Sequence, residues 1–170
     1  MDKSIEQAFN EQVNAEFYSQ YLYLSMANYL TSQGLDGMAH WMRIQVDEER
    51  AHAIRFIDYI HERNGRVVLN QIDQPKIEWE SPLEVFRDAY EHECMITAKI
   101  NALVDLAIKQ NDHATAAFLQ WFVTEQVEEE ANASAIVSRL ERIGDHGMGM
   151  LMVDQQLGQR PAADTSEPAQ

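Results

Sequence analysis

The sequence is short of several things, and each shortage removes a class of protein. Its 170 residues hold a single cysteine, Cys94, so no disulfide can form within the chain, which suits a reducing, cytoplasmic setting. Lysine and arginine total 13 against 28 aspartates and glutamates, a net charge of −15. A chain so poor in cationic side chains is not built to neutralise phosphates, and nucleic acid is excluded as a partner. No apolar run approaches the ~18 residues needed to cross a bilayer, and residues 1–6 lack the apolar stretch of a signal peptide. Neither a membrane partner nor export is expected. Only four prolines and seven glycines are present, which leaves long stretches with nothing to interrupt a helix. What is there is ordinary for a globular domain, 45% hydrophobic and 24% charged, and long enough to bury a sizeable core. The surplus negative charge attracts cations through the summed field.

The apolar periodicity predicts four long helices. Ser4 and Gln7 have capping-box spacing and open a first helix that runs to about Gln33, just before Gly34. It is apolar on two faces, the second marked by Tyr18, Leu22 and Tyr29, which suggests contact with another subunit. Asp36 is the expected N-cap of a second helix, from about Gly37 to Arg63, stopped by Asn64-Gly65. Residues 66–80 lack helical periodicity and contain Pro75. At ~3.3 Å per extended residue this segment can run the length of a bundle. It reads as a crossover that makes the second and third helices parallel. Ser81-Pro82-Leu83-Glu84 is a strong start signal for a third helix to about Gln110. Asn111-Asp112 separates it from a fourth, about His113 to Arg142. The fold class is all-α, a four-helix bundle. After Gly144 and Gly147, residues 148–157 form a short segment too apolar to be left in water. The domain is expected to end near residue 158, with 159–170 a disordered tail.

Within this pattern Asp47-Glu48-Glu49-Arg50-Ala51-His52 is an anomaly. Glu49 and His52 are one turn apart and share a face with Met38, Met42, Ala53, Phe56 and Ile60. The other helices repeat the oddity. Glu16 lies on the stripe of Phe9, Val13 and Tyr23; Glu93 on that of Phe86 and Ala89; Glu129 on that of Phe122 and Ala133, with Glu125 one turn before it. A lone inward glutamate is usually paired or half-exposed, and a lone inward histidine is usually a hydrogen-bonded core residue. Recurrence on all four helices at matching depth is what points to metal. A buried carboxylate without a partner is costly, and no lysine or arginine sits at nearby turns of these faces. Four carboxylates beside a neutral His52 are balanced by two divalent cations. Oxygen-rich donors with one imidazole suit iron or manganese. Glu49 is the natural bridge, with Glu16 and His52 completing one site and Glu93 and Glu129 the other. Tyr23, two turns beyond Glu16, is within reach as a hydrogen-bond donor or one-electron reductant. Two ferrous ions so placed can reduce dioxygen or peroxide by two electrons, a ferroxidase chemistry. Cys94 reads as a packed thiol, and Met148, Met150 and Met152 as interface packing.

Over nearly its whole length the chain resembles the ferritins, and among them the bacterial non-haem type. The resemblance is carried by Asn14-Ala15-Glu16-Phe17-Tyr18-Ser19, by the run from Asp47 to His52, and by Phe118-Leu119-Gln120-Trp121-Phe122-Val123-Thr124-Glu125-Gln126-Val127-Glu128-Glu129-Glu130. It implies two irons, one at Glu16, Glu49 and His52 and the other at Glu49, Glu93 and Glu129. Gln126 would hydrogen-bond oxygen or water beside them. It also implies a third iron toward the inner surface, at Glu48, Glu125 and Glu128 with Glu129 shared. Residues 148–157 would be a short C-terminal fifth helix around the fourfold axes of a 24-subunit shell, and Tyr18, Leu22 and Tyr29 would meet a twofold neighbour. Two departures separate close relatives. Gln126-x-x-Glu129 stands where bacterioferritins and di-iron enzymes repeat Glu-x-x-His, and Arg50 stands where bacterioferritins place a haem-ligating methionine. No haem is expected. Mini-ferritins that coat DNA build their site between subunits, whereas these ligands lie in one bundle. The implied function is iron storage, with Fe(II) oxidised by O2 or H2O2 and kept as ferric oxyhydroxide inside the shell. A di-iron oxidase or peroxidase that stores nothing, and a bundle that only binds cations, are the alternatives.

Overall fold

Side-chain caps fix where the long helices begin. In a computed structural model describing residues 1–144 and 146–162, five helices follow one another. They are α1 (Lys3–Ser32), α2 (Asp36–Glu62), α3 (Pro82–Lys109), α4 (His113–Ile143) and α5 (Gly147–Leu157), with no strand among the described residues. Ser81 accepts from the Glu84 N–H and Pro82 takes the first helical position, as the sequence leads one to expect. Asp112 accepts from the Thr115 N–H at 3.1 Å and opens α4. Left-handed residues Gly34, Asn64 and Asn111 stop the first three helices.

Two caps differ from expectation. Asp2, not Ser4, opens α1: its carboxylate accepts the Ser4 N–H at 2.8 Å, and the Ser4 hydroxyl donates to the same oxygen. At α2 the cap position falls on Leu35, which has no side-chain acceptor, and Asp36 lies inside the helix. The Met38 N–H donates instead to Asp154 of α5, at 2.8 Å. A helix start left open by its own sequence is closed by a distant element. The approach is tight enough that a Cβ on Gly37 would lie 1.8 Å from the Asp154 carbonyl oxygen.

The crossover forms as expected and lies along α1, where that helix's polar side chains hold its backbone. Asn10 donates to the Arg66 carbonyl and accepts from the Val68 N–H, and Asn14 donates to the Gln71 carbonyl. Ser25 and Tyr29 donate to the carbonyls of Lys76 and Trp79, each at 2.7 Å. These bonds satisfy groups that an extended segment would otherwise leave to water. End-to-end contacts fix directions. Gln110 reaches Ser4, Arg63 forks onto Asp112, and Arg87 pairs with Glu141. So α1 is antiparallel to α3, α4 antiparallel to both α2 and α3, and α2 parallel to α3. The second apolar face of α1 finds its partners largely within the chain. Leu22 is buried, Tyr29 packs on Trp79 with ring centroids 5.2 Å apart, and Tyr18 leans on His92. Tyr21 and Leu24 remain exposed beside Ile72 and Ile77 of the crossover.

The core is divided. One apolar cluster gathers Met26, Leu30, Met38, Met42, Phe86 and Leu140, with Val153 and Leu157 of α5. The other gathers Phe9, Phe56, Ile60, Ile100, Leu119 and Phe122. On every long helix the residues between these two sets include a buried carboxylate. At α5, Val153 and Leu157 point in while Met148, Leu151 and Met152 stay exposed. The chain does not fray directly after it. The Gln159 and Arg160 N–H groups bond back to Gln156 and Leu157, so the start of the expected tail is ordered; residues 163–170 lie outside the described part.

Gly37→Ala is expected to push α5 off the start of α2, at a cost of about 1–3 kcal/mol, the usual scale of overpacking. Gly147→Ala, whose Cβ would meet nothing within 4 Å, is the control. Faster amide exchange throughout α5 and a lower Tm in the first variant only would bear this out; equal behaviour would refute it.

Candidate metal centre

Between the two apolar clusters, all four helices turn a polar side chain inward. Glu16, Glu49, His52, Glu93, Gln126 and Glu129 are each at most 5% exposed; helical periodicity puts the first four and Glu129 on inward faces, and Gln126 is the residue that the resemblance adds. Glu16, Glu49 and His52 converge: a ligand atom from each lies within 4.8 Å of the others, the one such trio among the described residues. His52 Nδ1 is 3.6 Å from Glu49 Oε2. The His52 ring is wedged edge-on against Trp121 and Phe122, which fixes its plane. Gln12 donates to one Glu16 oxygen at 2.7 Å. The other Glu16 oxygen is buried with no hydrogen-bond donor from the protein, a lack that a proton shared with a neighbouring carboxyl, a water or a cation remedies.

Glu93 and Glu129 are not drawn into that trio, because donors of the protein hold them. Tyr23, fully buried, donates its hydroxyl to Glu93, and Gln126 donates to the other Glu93 oxygen at 3.1 Å and to Thr97. Gln126 is thus engaged with Glu93 rather than free to face a ligand. Gln45 donates to Glu129 at 2.9 Å.

The electrostatics follow from burying so many like charges together. Burial, then the charges of Glu93, Glu16 and Glu129, push the Glu49 carboxyl well above its ordinary range. Burial raises Glu93 to about 7 against the pull of Tyr23 and Gln126. Burial and the Glu93 charge raise Glu129 to about 8. Burial, then the Glu93 and Glu49 charges, hold the Tyr23 phenol protonated. Close by, burial depresses His92 to about 4, a neutral ring bonded to Ser19 at 2.7 Å.

The residues linked to a third site are more open. Glu48 and Glu125 are half-buried and Glu128 is exposed. Burial raises the Glu48 carboxyl against the pull of Arg160, with a smaller push from the Glu125 charge, and Glu48 in turn raises Glu129. A cation that the helix faces do not announce reaches the rim: Arg160, from beyond α5, places its Nη2 at 2.8 and 3.0 Å from the two Glu48 oxygens. Sequence reading also missed Gln12 and Gln45. Their signal was present: each is a polar residue on an apolar stripe, four positions before Glu16 and Glu49.

Fold and site together define a four-helix bundle with a buried carboxylate and imidazole layer able to hold metal. The chain matches the ferritin-like domain over residues 6–143, and it belongs to the ferritin family. It is 45% identical over 160 residues to the bacterial non-heme ferritin of Bacteroides fragilis, covering 94% of this chain and 99% of that one. Identity to the Campylobacter jejuni bacterial non-heme ferritin is 40% over 155 residues, 91% and 93% of the two chains. The open pore ferritin of the hyperthermophilic archaeon Archaeoglobus fulgidus superposes with a TM-score of 0.94 at 47% identity, covering 95% and 99%.

Raised carboxyl values set a pH dependence. In the metal-free protein the native state holds protons on Glu93 and Glu129 that the unfolded chain, at its ordinary value of 4.5, has released. Their contribution to stability is therefore complete below 4.5 and lost as pH rises through about 7 and 8. Thermal unfolding of chelator-treated protein should show Tm falling over this window, with a shallower fall for Glu129→Gln. An identical slope in the variant would remove Glu129 as a source.

Proposed function

We propose that this chain is a subunit of an iron-storage ferritin that oxidises Fe(II) at the buried carboxylate layer and keeps the product as ferric oxyhydroxide within a 24-subunit shell in the cytoplasm. The observation that carries the reading is the Glu16, Glu49 and His52 trio with its unpartnered buried oxygen, set in a chain of the ferritin family. Fe(II) is the substrate. Glu49 bridges two ions, Glu16 and His52 complete one set of donors, and Glu93 and Glu129 complete the other. Tyr23, Gln126 and Gln45 hold those last two carboxylates in place until a cation replaces the protons they carry. Each Fe(II) gives up one electron. Two electrons with two protons take O2 to H2O2, or H2O2 to two waters, and the layer's displaced protons are a local supply. Tyr23, hydrogen-bonded to Glu93, is placed to buffer a single electron.

Glu48, Glu125 and Glu128, with Glu129 shared, form a third cation position on the way out of the bundle. The charge of Glu125 felt at Glu48, and that of Glu48 felt at Glu129, support it. The outward Met148, Leu151 and Met152 of α5 and the exposed apolar strip along α1 and the crossover support a shell. An oxidase that stores nothing would use the same buried layer but needs no such surfaces.

Glu49→Ala is expected to abolish the rapid phase of Fe(II) oxidation, seen by stopped-flow absorbance with O2 or H2O2, while the shell still assembles. An unchanged initial rate would take Glu49 out of the centre. Glu128→Ala should spare the first burst and alter later turnovers, and an identical multi-turnover profile would count against the third position. On size exclusion, a species near the 19.5 kDa of one chain would overturn the storage reading.

A further inference from the structure

Arg160 lies outside the four-helix bundle in sequence but is held against α2 by a set of contacts that no loose tail would make. Its Nη2 donates to both oxygens of Glu48, and its Nη1 donates to the side-chain oxygen of Gln45. The guanidinium lies over the Trp41 ring, 4.8 Å from its centroid, and its backbone carbonyl meets His40 Nε2 at 2.9 Å. All of these partners are on α2. With the Gln45 oxygen facing the guanidinium, its amide nitrogen faces Glu129 at 2.9 Å. A line of contacts therefore runs from Arg160 through Gln45 to a carboxylate of the buried layer. Both Glu48 oxygens accept from Arg160, so a cation at Glu48 meets a competing positive charge on the same carboxylate.

We propose that Arg160 is a tethered counter-cation that occupies Glu48 whenever no metal does, so that a divalent cation takes the third position by displacing it. This rests on the third-position reading above. The pair suits a displaceable role. Each side chain is 20% exposed, so water and salt weaken it. A divalent ion gathering several carboxylates has the stronger claim on Glu48. An open cleft of about 320 Å³ beside Arg160, lined by Asn132, Ile136, Arg139 and Gln156, leaves the side chain room to swing toward solvent. A guanidinium is always charged and matches a carboxylate with fixed donors, so the guard is present whenever Glu48 is ionised and the metal concentration decides when it yields. The guard slows filling of the outer position until ferrous ions are abundant, and it keeps Gln45 turned toward Glu129 in the meantime.

The test is calorimetric titration of metal-free, assembled shells with Zn(II), which binds without redox chemistry. Arg160→Ala should tighten the weakest class of sites about tenfold, the scale of one charge-assisted pair, with little change in the tighter classes. Arg160→Lys, which keeps the charge but loses the fork, should fall between. Glu48→Gln should abolish the weakest class, alone or combined with Arg160→Ala. If Glu48→Gln abolishes that class but Arg160→Ala and Arg160→Lys match the parent, the guard is refuted and the third position stands. If Glu48→Gln changes nothing, the third position itself is wrong, and the guard falls with it.

Discussion

The rest of this structure depends on one costly arrangement: four glutamates brought to the same depth inside a helical bundle. Each is on the apolar stripe of its own helix, so folding cannot bury Phe9, Phe56, Phe86 and Phe122 without burying Glu16, Glu49, Glu93 and Glu129 as well. The bundle responds by splitting its core into two apolar halves with a polar layer between them. Those halves bear the stability, so the layer is free to be unfavourable. Desolvated carboxylates at such spacing cannot all ionise, and the raised Glu49, Glu93 and Glu129 follow directly.

Several side chains of the chain stand in for the cations such a layer attracts. Gln12, Gln45, Gln126 and Tyr23 each aim a hydrogen at a carboxylate. Amides and a phenol are suited to this because they donate without adding charge, and so can stay when a metal arrives. Arg160 does carry a charge, and it sits at the rim rather than in the layer. A fixed guanidinium among the four inner glutamates would have settled the charge permanently and repelled any metal. At Glu48 it only competes.

Much of this could be read from residue spacing. A period of 3.6 placed Glu16, Glu49, His52, Glu93 and Glu129 on inward stripes, and Ser81-Pro82 with Asp112 marked helix starts, because both kinds of information are local. The misses are of another kind. The start of α2 is capped by Asp154, 116 residues away along the chain from Met38, and Glu48 is paired from 112 residues away. Both depend on where α5 docks, and nothing in the α2 sequence records it except Gly37, whose lack of a side chain is only intelligible once Asp154 is seen against it. Likewise Tyr18, Leu22 and Tyr29 form a second apolar face of α1, and within the chain Tyr29 packs on Trp79 of the crossover and Tyr18 on His92 of α3. Periodicity says that a face is buried, not by what.

The two halves of the layer are unlike in a way that bears on how metal meets them. At Glu16, Glu49 and His52 the donor atoms already converge and one carboxylate oxygen has no partner, so a cation there displaces little but a shared proton. At Glu93 and Glu129, Tyr23, Gln126 and Gln45 already donate to the carboxylate oxygens, and a cation must share those oxygens or turn them. Glu49 touches both situations, since its carboxyl is raised by Glu93 and Glu129 on one side and by Glu16 on the other. A divalent cation that takes the place of the shared proton adds one positive charge beside Glu93 and Glu129, lowering the cost of ionising them for the second. The coupling needs no movement of the backbone, only one added positive charge in a region where Glu49 feels Glu93, Glu16 and Glu129.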